Sequence, residues 1–240
     1  MRDNDQSAIP NPQSEILKEY VRREAEVSAD LYAPWNAAEQ FAVAERKLTA
    51  AELLQRAGRF PEAGDAALEI GYGKLGWLAD LISWGLRAED LHGMELDPRR
   101  AAVAQAALPS ADLRVGDASS LPWRDGSFKL IVVSTVFSSI PASEMQRRIA
   151  YEIGRVLHPE GALVWYDLAV DNPKNPNVRG IGRRALDGLF PEMTGEVRSV
   201  TLAPPLARMI TPRSFAIAAM LRGLPFLRTH LLGVLRGGDK

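Results

Sequence analysis

Three acidic residues, Glu69, Glu95 and Asp117, stand at or beside the ends of short apolar runs, and three glycines follow the first of them. In Ala66-Ala67-Leu68-Glu69-Ile70-Gly71-Tyr72-Gly73-Lys74-Leu75-Gly76 the glycines fall at G-x-G-x-x-G spacing. Such a run predicts a buried strand that turns sharply into a helix over 77–86. Lacking Cβ atoms, the glycines take positive φ and let a ligand lie against the main chain. The second run, Asp90-Leu91-His92-Gly93-Met94-Glu95, puts Glu95 24 residues past Gly71, the span of one strand–helix–strand unit. An acid ending the second strand accepts hydrogen bonds from both hydroxyls of a ribose. A third run, Asp112-Leu113-Arg114-Val115-Gly116-Asp117-Ala118, ends in a carboxylate suited to an adenine amino group. A nicotinamide dinucleotide site needs the glycine loop and the ribose acid, but neither Glu69 nor the Gly116-Asp117-Ala118 strand end.

The elements that must position these residues are legible around them. A fourth strand over 128–135, with Leu130-Ile131-Val132-Val133 at its centre, is the continuous apolar type of a central parallel strand. Its end, Ser134-Thr135-Val136-Phe137, belongs at the mouth of a cleft. Strand and helix alternate from 66 to 167, the pattern of a doubly wound α/β sheet. Ahead of it, 1–13 is a polar tail expected to be disordered, and 14–64 is a helical cap. In that cap Ser14 is the expected N-cap, 32–36 a break, and a helix over 38–57 is closed by Gly58. After Asp167 comes a Pro/Asn/Arg segment, then two strands over 196–202 and 226–234 around one helix near 214–221.

Taken together, these residues resemble the class I S-adenosylmethionine-dependent methyltransferases, in the type 11, ubiquinone-biosynthesis-like group. Leu121-Pro122-Trp123-Arg124-Asp125-Gly126-Ser127-Phe128-Lys129 resembles that family's lead into strand four, with Lys129 in place of its final acid. Arg155-Val156-Leu157-His158-Pro159-Glu160-Gly161 resembles its turn into strand five. The resemblance covers residues 66–168 and implies a Rossmann-like seven-stranded sheet with an antiparallel last strand, filling 65–240. It implies S-adenosylmethionine as cofactor, held by Glu69, Gly71, Tyr72, Gly73, Gly76, Glu95, Leu96, Asp117, Ala118, Ser134 and Thr135. Tyr20, Tyr32 and Trp35 fall in helices that in this class form a lid; packing within the cap is the equal alternative. From Trp165 onward, the Asn-Pro-rich stretch also resembles bacterial methyltransferases linked with glycan assembly.

A hydroxyl acceptor calls for a base at the carboxyl ends of strands four and five. Asp167 is the first choice, with strand-end capping as its other reading, and His230 is the second, with a core or surface histidine as its other reading. Asn172, Asn175, Asn177 and Arg179 lie in an irregular loop of the kind that binds substrate, although Asn-Pro pairs also begin turns. Asp167 and Asp171 without a third partner make no metal site, so none is expected. His92 reads as structural and His158 as a turn residue.

The expected function is methyl transfer to an oxygen of a sugar, glycan or related small molecule. Carbon or nitrogen methylation of a quinone or natural product, and a silent cofactor-binding subunit, are the alternatives. The 240 residues carry a net charge of −1, which hides an asymmetry: residues 1–178 hold 19 basic and 26 acidic side chains, 179–240 hold 10 and 4. A basic end suits an anionic acceptor or is a solvated surface, whereas nucleic acid would call for lysine runs and stacking aromatics. No cysteine, no apolar run of membrane-spanning length and no secretory leader fit a cytoplasmic enzyme, with a homodimer open.

Overall fold

The computed structural model describes residues 12–172, 175 and 177–237. Seven strands form one sheet: β1 (Ala67–Ile70), β2 (Leu91–Glu95), β3 (Asp112–Val115), β4 (Phe128–Ser134), β5 (Leu157–Leu168), β6 (Met193–Leu202) and β7 (Arg228–Gly237). Their spatial order is β3-β2-β1-β4-β5-β7-β6. The first five are mutually parallel, and β7 runs antiparallel between β5 and β6. The order reverses between β1 and β4, so their carboxyl ends diverge into a crevice, the place where open α/β sheets take ligands.

Helices cover both faces. On one lie α2 (Ala37–Arg56), α3 (Leu78–Ser83) and α4 (Pro98–Ala107), packing Leu53, Leu81 and Ala104 against Leu130, Val132 and Val164. On the other, α5 (Ser143–Val156) and α6 (Arg183–Leu189) bury Ile149, Ile153 and Leu186 against Ile131, Val133 and Trp165. α1 (Pro12–Glu26) joins that second cluster through Ile16. Between β6 and β7 stand α7 (Pro204–Ile210) and α8 (Phe215–Arg222), where Ala207 and Ala218 pack on Ala38 of α2. No helix among the described residues is long and apolar enough to cross a membrane.

The differences from the expected elements have local causes. α1 begins at Pro12 rather than at Ser14, because a first-turn residue needs no backbone N–H partner. The tail expected over 1–13 therefore lies outside the described residues only as far as position 11. α3 is shorter than the expected 77–86, since Gly85 (φ +107°) ends it. The helix expected near 214–221 is α8, and α7, not expected, precedes it across Pro212; Pro225 in a 3-10 turn delays β7 to Arg228. α6 was not expected; its Arg183 and Asp187 pair one turn apart at 2.9 Å. Lys129, where the family has an acid, pairs with Glu160 at 2.7 Å. Arg155 ties the lead into β4 together, reaching Asp125 and the carbonyls of Leu121 and Trp123.

Candidate cofactor and acceptor site

The glycine loop is shaped from beneath. Gly71, Gly73 and Gly76 all hold positive φ (71°, 59° and 52°). The Glu69 carboxyl is enclosed under this loop and accepts the Trp77 N–H at 2.8 Å. A Cβ on Gly76 would lie 2.2 Å from Glu69 Oε1, so the third glycine is required by the first acid. Burial pushes the Glu69 carboxyl up to about 8. Glu69 was expected to bind the cofactor; in the structure its carboxyl shapes the loop. The Tyr72 ring is buried against Gly93, where a Cβ would meet it at 2.4 Å, and its hydroxyl donates to Arg114 O.

Glu95 and Asp117 converge with Gly71, Leu96 and Ala118 on a single cavity. Glu95 is 2% exposed, not the open strand end that its position suggests. Its two oxygens accept the N–H groups of Gly73 (2.8 Å) and Asp97 (2.9 Å), which locks the loop to the end of β2. Asp117 Oδ1 accepts the Ser119 N–H, and Oδ2 receives the Gln13 side-chain amide at 2.6 Å. The Gln13 amide thus takes up one Asp117 oxygen. Tyr20 lines the same cavity, under the Arg100 guanidinium at 4.2 Å, and burial followed by the Glu95 charge pushes its phenol up to about 12.

Helix α1 roofs this cavity with Gln13, Ile16 and Tyr20, leaving about 40 Å³, well below the ~300 Å³ of a small-ligand site. As α1 stands, that is too little room for a nucleoside. A second cleft of about 310 Å³ lies along the other side of α1, lined by Glu15, Lys18, Glu19, Arg22, Ser139, Pro141 and Asn177. Glu19 closes it: hydrogen bonds from Arg22, Asn175 and Asn177 hold its carboxyl down at about 2. The loop asparagines expected to meet substrate thus fasten α1 in this state. Asn172 and Arg179 are exposed, and Arg179 donates its N–H to Ser138 O.

The two expected bases stand on opposite faces of the sheet. Asp167 is 0% exposed; its oxygens accept the N–H groups of Ser138 (3.1 Å) and Leu168 (2.8 Å). Burial pushes it up to about 6, against the bonds from Ser138. Fully enclosed, it fastens the turn after β4 through Ser138. His230 stacks on Tyr166 at 4.9 Å under α2, and burial, then Arg46, push it down to about 4, so it is neutral at pH 7. Thr135 (φ +56°) is exposed at the crevice, with its N–H on Tyr166 O, while Ser134 is half-buried. His92 sits edge-on to Phe128 and Trp123, and His158 accepts the Glu160 N–H in its turn.

Val136, expected at the mouth of the cleft, lines the cavity, but sequence reasoning missed the rest of its apolar wall, Ile140, Met145 and Ile149. Met145 and Ile149 are one turn apart on the buried stripe of α5, which was the available signal. The buried acids, the glycines without room for a Cβ and the Asp117 oxygen carrying an amide together fit S-adenosylmethionine.

Residues 68–165 match the family described as "Methyltransferase domain". A 37.1 kDa protein in a transposon of Streptomyces fradiae is 27% identical over 168 residues, covering 66% of this chain and 45% of that protein. The chain thus spans less than half the length of that relative. Geranyl diphosphate C-methyltransferase from Streptomyces coelicolor superposes with a TM-score of 0.62 at 16% identity, covering 96% of this chain and 99% of its own. A sarcosine dimethylglycine methyltransferase assigned in Galdieria sulphuraria gives 0.61 at 18%, covering 81% and 86%. At these identities the two structures bear on the fold, and the matched stretch together with the cavity it builds bears on the family. Over residues 68–165 the chain matches a methyltransferase domain, on the fold of S-adenosylmethionine-dependent methyltransferases.

Proposed function

We propose that the chain methylates an oxygen of a sugar, glycan or related hydroxyl-rich small molecule. The observation that supports this is the second cleft, whose lining of two acids, two bases, a serine and an asparagine suits hydroxyls better than an apolar ring. Its neighbour across Ile16 is the cofactor cavity, so acceptor and cofactor would share the α1 boundary. S-adenosylmethionine, when bound, supplies a methyl carbon on a sulfonium that an oxygen attacks in line. The chain's contribution is alignment and exclusion of water, the largest part of such a displacement. Glu95 and Asp117 would hold ribose and adenine, and Gly71 and Gly73 would admit the methionine end. Asp167 would act as a positioning residue, setting the turn through Ser138, with Ser139 of that turn on the acceptor cleft. The held-down Glu19 is too weak a base to deprotonate a hydroxyl, so the proton would leave to water.

The test is purified protein with S-adenosylmethionine against sugars, nucleotide-sugars and phenolic or quinone acceptors. Methyl transfer to sugar oxygens supports the reading. Transfer to a ring carbon or nitrogen alone would overturn it in favour of quinone or natural-product chemistry. Tight cofactor binding with no transfer to any acceptor would favour a regulatory subunit.

A further inference from the structure

The insertion between β6 and β7 is apolar on the side turned to solvent as well as on the side turned to the core. In α8, Ala218 packs on the α2 cluster and the Phe215 ring leans on Phe41 of α2 at 5.9 Å, while Ile217 and Met220 are exposed, Met220 with 69% of its surface. Phe226, in the 3-10 turn that follows, is 80% exposed. Met209 of α7 adds to the same insertion. A helix apolar all round belongs in a core or at an apolar boundary, and contiguous exposed patches of this kind mark interaction sites. Basic residues dominate the insertion: between Glu196 and Asp239 the chain has six arginines and no acidic residue, while from α2 Glu45 pairs with Arg222 at 3.7 Å and Glu39 lies near Arg208. Arg208 and Arg213 stand exposed among the apolar side chains.

We propose that the α7–α8 insertion docks on an anionic lipid bilayer, with Phe226, Met220 and Ile217 entering the interface and Arg208 and Arg213 meeting lipid phosphates. Apolar side chains ringed by arginine are what an interfacial helix presents to such a surface. A second copy of this chain fits worse, because a two-fold contact through this patch would set arginines against arginines. The placement suits the site. Leu202 lies opposite Arg228, and His230 opposite Leu168, so the insertion leaves the sheet at the edge where β5 ends and the crevice opens. Docking would therefore turn the crevice edge toward the bilayer. The inference does not depend on which acceptor is methylated.

The experiment is co-sedimentation of the full chain with phosphatidylcholine vesicles, with and without phosphatidylglycerol, at low and high salt. Expected is binding that needs phosphatidylglycerol and weakens with salt. Phe226→Asp with Met220→Asp should weaken it by about tenfold or more. Arg208→Gln with Arg213→Gln should weaken it by about fivefold per arginine, the equivalent of the ~1 kcal/mol each contributes at such a surface. All four sites are exposed, so unchanged melting temperatures would show that the variants fold. No binding by the parent protein, or equal binding to both vesicle types, would overturn the proposal. A concentration-dependent dimer abolished by Phe226→Asp would overturn it too, assigning the patch to a second copy.

Discussion

Replacing Glu95 by Ala tests the cofactor cavity and the packing that forms it in one perturbation. Glu95 is buried, and its two oxygens accept the N–H groups of Gly73 and Asp97. Hydrogen bonds to a charged group are each worth about 1.5–3 kcal/mol. The variant leaves both N–H groups without their acceptor, so the unliganded fold should lose about 3–6 kcal/mol, a large share of the ~5–15 kcal/mol that holds a domain together. In a chain of this size that lowers the melting temperature by roughly 6–24 °C. Loss of the ribose contact should independently weaken S-adenosylhomocysteine binding by about one to two decades. Glu95→Gln separates the two effects. It keeps one carbonyl for one N–H and should recover about half of the stability, while still lacking the charge for the ribose. Circular dichroism melts of the unliganded protein and calorimetric titration at a temperature where each variant is folded read both numbers. A melting temperature within about 2 °C of the parent would refute the loop-locking role. Unchanged affinity in both variants would refute the placement of the ribose site.

Further outcomes follow from the same geometry. Glu69, raised from 4.5 to about 8, favours folding most when protonated, so its contribution is complete below about pH 4.5 and is lost as pH rises through 8, a difference of up to about 5 kcal/mol. Glu69→Gln should flatten that loss in urea melts between pH 5 and 8, and an unchanged slope would contradict it. Gly76→Ala should cost about 2–4 kcal/mol, because it combines positive φ with a Cβ against Glu69; Gly73→Ala, with open space, should cost only about 1–2, and equal losses would argue against the contact. Asp167→Asn should lower the melting temperature yet leave affinity for S-adenosylhomocysteine within about threefold. A turnover loss of about 10²-fold with an intact melt, together with disappearance of an acid limb near pH 6, would restore it as the base. Glu19→Ala frees α1 from Asn175 and Asn177 and should speed association of S-adenosylhomocysteine by roughly threefold or more in stopped flow; an unchanged rate would mean α1 is not the gate.

Chemistry carried by local spacing could be read without the fold. Gly71, Gly73 and Gly76 announce a turn because only glycine tolerates those dihedrals, and the apolar run before Ser134 announces a central strand because both its faces are covered. The distance from Gly71 to Glu95 follows from the length of one strand–helix–strand unit. These are short-range constraints, and the linear chain contains them entirely. What a side chain faces is different, since it depends on partners far away in sequence. Whether Glu69 meets a ligand or the Trp77 N–H, and whether Asp167 opens to the cleft or closes on Ser138, is set by packing across 8 and 29 positions. The fastening of Glu19 by Asn175 and Asn177 spans more than 150 positions, and no periodicity marks it. The outward apolar face of α8 was likewise invisible: Ala218 and Met220 are alike in hydropathy, and only the docking of α2 on one side decides which is buried and which is left to meet a partner.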